Sequence, residues 1–125
     1  MLRDLIARVN AERESRGLTP MRYDERLGLA ALRHSEDQAR QGRTTHTGSD
    51  GSTLARRIDA VGYGWSSLAE NVAMGYTNVE SVMAGWMASD GHRRNILSAS
   101  VDVGVGLAYG VDGRPYWTQV FATPG

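Results

Sequence analysis

Two histidines and one glutamate stand in short polar motifs that could carry chemistry. His46 opens the motif His-Thr-Gly-Ser-Asp-Gly, and His92 lies in Gly-His-Arg-Arg-Asn-Ile-Leu. Glu70 lies between apolar neighbours, where a carboxylate is costly unless it is paired. Two imidazoles and a carboxylate are ligands that borderline divalent cations prefer. These residues are therefore candidates for a metal site; the alternatives are two surface histidines and a salt bridge from Glu70 to Arg93 or Arg94.

Other residues of similar types are more typical of the folded core. His34 shares a helical face with Leu27 and Ala31, which predicts a packed histidine with one hydrogen-bonded ring nitrogen. The larger aromatic side chains are interpreted as core and cleft wall. They are Trp65, Trp86, Trp117, Tyr63, Tyr76 and Tyr116.

A serine nucleophile is a weaker interpretation of the same motifs. Ser89 precedes His92 by three positions, and Glu70 could orient that imidazole in a triad-like arrangement. The chain has no Gly-x-Ser-x-Gly motif, and serine is common at helix ends as a partner of the local backbone. It also has no His-Glu-x-x-His motif, which argues against the usual zinc protease site.

Length, charge and composition exclude several classes of protein. With 125 residues the chain is predicted to form one domain, residues 1–125. Fourteen basic and fourteen acidic residues are mixed along the chain, which makes nucleic acid an unfavourable partner. The absence of cysteine excludes disulfides and thiolate ligands. Charges interrupt residues 1–10, so this segment is neither a signal peptide nor a membrane span.

The elements that must position the motifs follow from periodicity and capping signals. Helices are predicted at about residues 2–14, from a cap at Asp24 to Gly42, at 53–60, and at 79–86 after a cap at Asn78. Alternation predicts strands over 101–107 and 116–121 around an Asp-Gly turn, with a third strand near 71–74. This pattern indicates an α+β layered domain with an antiparallel sheet, and it leaves both His46 and His92 on exposed loops.

Taken together, the motifs resemble the bacterial branch of the CAP superfamily, the cysteine-rich secretory, antigen 5 and pathogenesis-related proteins, also called SCP domains. The resemblance rests on the His46 and His92 motifs, on Ala-Glu-Asn-Val around Glu70, on Gly85-Trp86 and on the closing Tyr-Trp-Thr-Gln at 116–119. It covers nearly the whole chain. It implies an α-β-α sandwich in which an antiparallel sheet of about three strands lies between helical layers.

The resemblance also implies a metal-binding cleft with two histidines and two acidic residues. The histidines match His46 and His92, and the first glutamate matches Glu70; the second acidic position falls on Ser89. The remaining ligand set suits Zn²⁺ with water in the open position. In similar members two histidines and water hold the metal alone, which would place Glu70 and Asn71 around the site as supporting groups. Asn95 and Gln119 are likewise expected to be scaffold.

Three functions are left open by these observations. The first is an exported, monomeric binding protein of the extracellular space or cell envelope whose export signal has been removed; a cytoplasmic protein is also compatible with the sequence. Its cleft would hold a divalent metal and take an unidentified lipid, peptide or protein ligand. The second is a metal-dependent peptide or ester hydrolase with Glu70 as the general base. The third is a purely structural role for the motifs.

Histidine ligation predicts that metal affinity falls as the pH drops through about 6.5.

Overall fold

The computed structural model describes residues 1–125 as five helices and four strands. In chain order they are α1 (Leu2–Glu14), β1 (Arg22–Tyr23), α2 (Glu25–Gln41), α3 (Leu54–Ala60), β2 (Trp65–Met74), α4 (Val79–Met87), α5 (Asp90–Ile96), β3 (Asp102–Tyr109) and β4 (Pro115–Pro124). None of the helices combines the length and the apolar character that a membrane crossing requires.

The predicted helices form where their capping residues place them. The Asp24 carboxylate accepts hydrogen bonds from the backbone of the first turn of α2, and Gly42 ends that helix in the left-handed conformation with φ of 70°. The side chains of Thr53 and Asn78 cap α3 and α4 in the same manner. Four of the five helices were therefore predicted within a residue or two of their observed ends.

The fifth helix corrects the prediction for the second histidine. α4 ends at Met87, and the chain begins a new helix at Asp90 that contains Gly91 and His92. The expectation that His92 lies on an exposed loop is therefore wrong. α5 has only seven residues and includes a glycine, so it carries too few apolar positions for a helical period to be recognised.

The sheet has four strands rather than three, in the order β1-β3-β4-β2. β4 pairs antiparallel with both β2 and β3, while the two residues of β1 pair parallel with β3. β1 is too short to show alternation. β2 extends over ten residues, well beyond the predicted 71–74. The prediction missed the first half of the strand because that half is exposed and has no apolar face to show alternation.

Helices cover both faces of this sheet, which gives the α-β-α sandwich. α2 and α3 pack on one face through a cluster whose sheet residues are Val120 and Ala122. α1, α4 and α5 pack on the other face around Trp117 and Phe121. These β4 residues alternate along the strand, as expected for a central strand buried on both sides.

Two glycines of β3 bring α2 directly onto the sheet. A Cβ at Gly104 would overlap the backbone of Leu27, and a Cβ at Gly106 would overlap the backbone between Ala31 and Leu32. The helix that carries His34 therefore lies against the strand backbone at these positions.

The aromatic side chains divide between core and surface. Trp86 and Trp117 are buried, and each indole N–H donates to a backbone carbonyl, of Val72 and Tyr76 respectively. Trp65 is 36% exposed at the start of β2, so it does not belong to the core.

Candidate functional site

The register of β2 places Glu70 and Asn71 on opposite faces of the sheet. Glu70 pairs with Val120, whose side chain faces α2 and α3, and Asn71 pairs with Gln119, which faces α4. Because β2 is an edge strand, groups from both helical layers can reach it. The two adjacent residues of the Ala-Glu-Asn motif thus serve two different sides of the molecule.

Arg57 and His46 form hydrogen bonds with the Glu70 carboxylate. Arg57 donates from Nη1 to Oε2 at 2.7 Å and from Nη2 to Oε1 at 3.1 Å, and His46 Nδ1 lies 3.0 Å from Oε1. The Glu70 side chain is only 2% exposed. Burial alone would raise the pKa of Glu70, but the hydrogen bonds from His46 and Arg57 hold that pKa below its usual value. Glu70 is therefore an ionised carboxylate with both oxygens engaged.

The partner of Glu70 differs from the one predicted. A salt bridge is present, but it joins Glu70 to Arg57 of α3, and Arg93 pairs instead with Asp90. The sequence offered little to distinguish Arg57 from the other arginines. It lies beside Arg56 on a seven-residue helix. Burial of Ile58 sets the rotation of this helix, which leaves Arg56 exposed and turns Arg57 inward.

Arg57 also holds the backbone of the first histidine. Its Nη2 donates to the carbonyl oxygen of His46 at 2.7 Å, in addition to the bond to Glu70. From α2, the Gln38 side chain accepts from the amide of Thr45, and His34 Nε2 lies 2.6 Å from the Thr45 carbonyl. The loop that carries His46 is therefore tied at two successive residues by side chains from two helices.

His34 is the packed histidine that its helical face predicts. Its side chain is fully buried, and burial lowers its pKa, so it is neutral at neutral pH. Because a carbonyl only accepts, His34 Nε2 carries the proton and donates to Thr45. His34 supports the loop of His46 from behind and offers no nitrogen to solvent.

His46 is fixed in orientation and open to solvent. Its side chain is 62% exposed, and the carboxylate of Glu70 accepts from Nδ1. That hydrogen bond is the main reason why the pKa of His46 is raised above its ordinary value. When the ring is neutral, the Glu70 contact places the remaining proton on Nδ1 and leaves a lone pair on Nε2.

A network of neutral amides holds the second histidine. Asn71 Nδ2 donates to the His92 carbonyl and to Gln119 Oε1, each at 3.1 Å. Asn95 Nδ2 donates to Asn71 Oδ1 at 2.8 Å and contacts the carbonyl of Glu70 at 3.3 Å. α5 is thereby fixed to the edge strand at both His92 and Asn95.

The imidazole of His92 lies in a different environment from that of His46. It is partly buried, and burial followed by the positive charge of His46 lowers its pKa. The charge of His46 thus acts on the ring of His92, although no hydrogen bond joins the two side chains. Ser89 occupies the cap position of α5, where its hydroxyl makes no capping hydrogen bond.

The predicted ligands do not come together as one metal-binding group. No three His, Asp or Glu side chains in the chain form a group suited to holding a metal ion. Both oxygens of Glu70 accept hydrogen bonds from Arg57 and His46, and Ser89 stands at the position where the resemblance implies a second acidic residue. A cavity of about 250 Å³ is lined by His34 and Arg57 among others, but by neither His46 nor His92.

Comparison with known proteins agrees with this architecture. A family model described as the cysteine-rich secretory protein family, CAP, matches residues 6–121. An outer surface protein of Borrelia burgdorferi superposes with a TM-score of 0.92 at 18% identity, over 99% of this chain and 92% of its own. An extracellular SCP-domain protein of Bacillus anthracis gives 0.87 at 25% identity, over 97% of this chain and 39% of its own.

Relatives with curated sequences come from Bacillus subtilis. The uncharacterized protein YkwD is 32% identical over 94% of this chain, and the uncharacterized membrane protein YlbC is 28% identical over 95% of it. The chain spans 45% and 33% of their respective lengths, so it corresponds to less than half of either protein.

Proposed function

The chain belongs to the cysteine-rich secretory protein (CAP) family, and we propose that it is a binding protein whose His46 and His92 hold a divalent cation at the edge of β2. Zn²⁺ is the cation that best suits two neutral imidazoles with water in the other positions. The bound ion would attract an oxygen of a ligand or partner to this surface.

One observation carries the proposal: His46 donates from Nδ1 to the buried carboxylate of Glu70. Metal-ligating histidines characteristically donate their second ring nitrogen to a carboxylate or carbonyl, which fixes the ring and makes the free nitrogen more basic. Arg57 donates to the other oxygen of the carboxylate and to the backbone carbonyl of His46. This arrangement supports a metal-facing role for His46 Nε2.

The low pKa of His92 supports the same role for the second ring. A histidine must be neutral to bind a metal, and burial favours the neutral form of His92. With only two protein ligands, we expect weaker binding than at a closed structural site with four ligands.

The contacts of Glu70 argue against the hydrolase alternative. A general base must accept a proton from water, but one Glu70 oxygen accepts from Arg57 and the other from both Arg57 and His46. Its lowered pKa also makes it a poor proton acceptor at neutral pH. Ligand binding without turnover is the function that this geometry favours.

An envelope or extracellular location forms part of the proposal. Its support is that one similar protein is described as extracellular and another as an outer surface protein, while a third is named a membrane protein. Fractionation of the source cells tests it, and recovery of the protein in the cytoplasmic fraction alone would contradict it.

Calorimetric titration of Zn²⁺ into chelator-stripped protein tests the metal site. We expect saturable binding of about one equivalent that is lost in the His46→Ala/His92→Ala double variant. The matched control is Thr47→Ala/Arg94→Ala, which changes exposed neighbours on the same loop and helix and is expected to bind like the wild type. Folding of all three is checked by circular dichroism. No binding to the folded wild-type chain, or equal binding to the folded double histidine variant, would overturn the proposal.

A further inference from the structure

A buried arginine far from the histidines lacks an acidic partner. Arg13, near the end of α1, is only 3% exposed. Its guanidinium donates to three backbone carbonyls, of Thr19 at 2.8 Å, Ile96 at 2.9 Å and Ser98 at 2.6 Å. The ten ion pairs of the molecule do not include it. Burial lowers the pKa of Arg13, and no neighbouring charge of either sign adds to that effect.

The three carbonyls offset the Arg13 charge only in part. Ile96 ends α5, so its carbonyl belongs to the negative end of the helix dipole, which is equivalent to about half an elementary charge at most. Buried arginines are rare unless they are paired with an opposite charge. A full positive charge in this position therefore favours the approach of an anion.

A cavity of about 460 Å³ opens beside this guanidinium. Nε and Nη1 of Arg13 are used by the carbonyls, whereas Nη2 has no partner within the protein and is not sealed from the surface. Arg13 itself lines the cavity. Nη2 is therefore the guanidinium nitrogen whose two N–H donors remain for a ligand in the cavity.

The rest of the lining combines hydroxyl and apolar groups. Ser98 donates its hydroxyl proton to Ser100 Oγ at 3.0 Å, which leaves the proton of Ser100 free to donate to a ligand. Leu18, Pro20 and Leu97 provide apolar wall. No acidic side chain lines this cavity, and none of its lining residues belongs to the histidine site.

We propose that this cavity is a second binding site, which takes a carboxylate carried on a short apolar group. Arg13 Nη2 and the Ser100 hydroxyl donate to the carboxylate oxygens, and the apolar group lies against Leu18, Pro20 and Leu97. Hydrogen bonds from a charged donor to a carboxylate are among the stronger ones in proteins. Both a free short-chain acid and the C-terminus of a peptide that ends in an apolar residue carry this chemistry.

Titration with isovalerate, followed by the side-chain ¹⁵N signal of Arg13 and by calorimetry, tests the site. We expect saturable binding with a shift of the Arg13 signal, and at least about tenfold weaker binding of the uncharged isovaleramide. Titration with acetyl-Ala-Ala-Val then distinguishes the two sources. Tighter binding of the peptide indicates a peptide C-terminus, and tighter binding of isovalerate indicates a free acid.

Blocking the cavity avoids any change to Arg13, whose loss could unfold the chain. Ala99 is an exposed lining residue, so Ala99→Phe is expected to fill the cavity mouth and weaken isovalerate binding about tenfold or more. Ala7→Phe makes the same exchange at an exposed position of α1 outside the cavity and is expected to leave binding unchanged. The proposal is overturned if the folded wild type does not bind isovalerate, if isovaleramide binds equally well, or if Ala99→Phe has no effect.

Discussion

The two sides of β2 hold their histidines by different physical means. On the side of α2 and α3, the side chains that surround Glu70 are ionic: Arg57 and His46 share one buried carboxylate. On the other side, Asn71 anchors the backbone of α5 through neutral amides. Ionic contacts in a buried setting are costly to break singly and depend on pH, whereas amide contacts are cheaper to lose and insensitive to pH.

This difference separates the roles of the two sides. The ionic side fixes the ring of His46, because its contact is with Nδ1. The amide side fixes only the main chain at His92. The pKa of the His92 ring is set instead by its burial and by the charge of His46. Substitutions on the ionic side should therefore cost more stability than substitutions on the amide side.

The largest loss is expected from Arg57→Met. It leaves the Glu70 carboxylate buried with His46 as its remaining partner, and breaking one side of a buried ion pair costs about 3–5 kcal/mol. Urea unfolding at pH 7 measures the change. Arg56→Met, at the exposed neighbouring position, is the control and should stay within about 0.5 kcal/mol of wild type. Equal stabilities of the two variants would show that the ionic side contributes little.

A smaller loss is expected from Asn71→Ala on the amide side. The Gln119 amide and the Asn95 amide each lose a partner, at a cost of about 1–3 kcal/mol. The loss should be the same at pH 7 and pH 4, because no titrating group is removed. Ser67→Ala, at an exposed position of the same strand, is the matched control. A strong pH dependence of the Asn71→Ala effect would remove the contrast between the two sides.

Only part of the site could be predicted from the sequence. His46, Glu70 and Asn71 stand in recognisable motifs, and a carboxylate among apolar residues indicates by itself that a partner must exist. The identity of that partner was not accessible, because Arg57 is one of many arginines and only the packing of Ile58 turns it towards Glu70.

The fold was predictable where a period or a cap extends over several residues. The caps at Asp24 and Asn78 and the alternation of β3 gave the main helices and the hairpin. Two short elements were not predictable: β1 has two residues, and α5 is set by tertiary contacts of His92 and Asn95 with β2. Local patterns do not encode elements that depend on such distant contacts.

The pH dependence of stability should separate the two sides further. The folded pKa of Glu70 lies below its unfolded value near 4.5, so its stabilising contribution is present above that pH and is lost as the pH falls through the folded pKa. The raised pKa of His46 adds a contribution that is present below about pH 6.5 and is lost as the pH rises through the folded pKa of that ring. We therefore expect the stability difference between wild type and Glu70→Gln to be largest between about pH 4.5 and pH 6.5 and to shrink below about pH 4.5. Urea unfolding between pH 7 and pH 3 checks this, and a constant difference over that range would contradict it.

The smallest effect is a divergence of the two histidine pKa values. In metal-free protein, we expect the NMR titration of His46 to lie above that of an ordinary histidine and the titration of His92 to lie below it. Glu70→Gln should lower the pKa of His46, because the hydrogen bond to the carboxylate is its main cause. Coincident titrations of the two rings would show that the two environments do not differ as described.

In the proposed metal site, Glu70 orients His46 and neither binds the metal nor reacts. Calorimetric titration of Zn²⁺ into Glu70→Gln, beside wild type and His46→Ala, measures this orienting role, with the fold of each variant checked by circular dichroism. We predict that Glu70→Gln retains one site with about 10–100-fold weaker affinity, whereas His46→Ala loses the site. Complete loss of binding in folded Glu70→Gln would make Glu70 a ligand, and an unchanged affinity would show that Glu70 does not position His46; either result would contradict the orienting role.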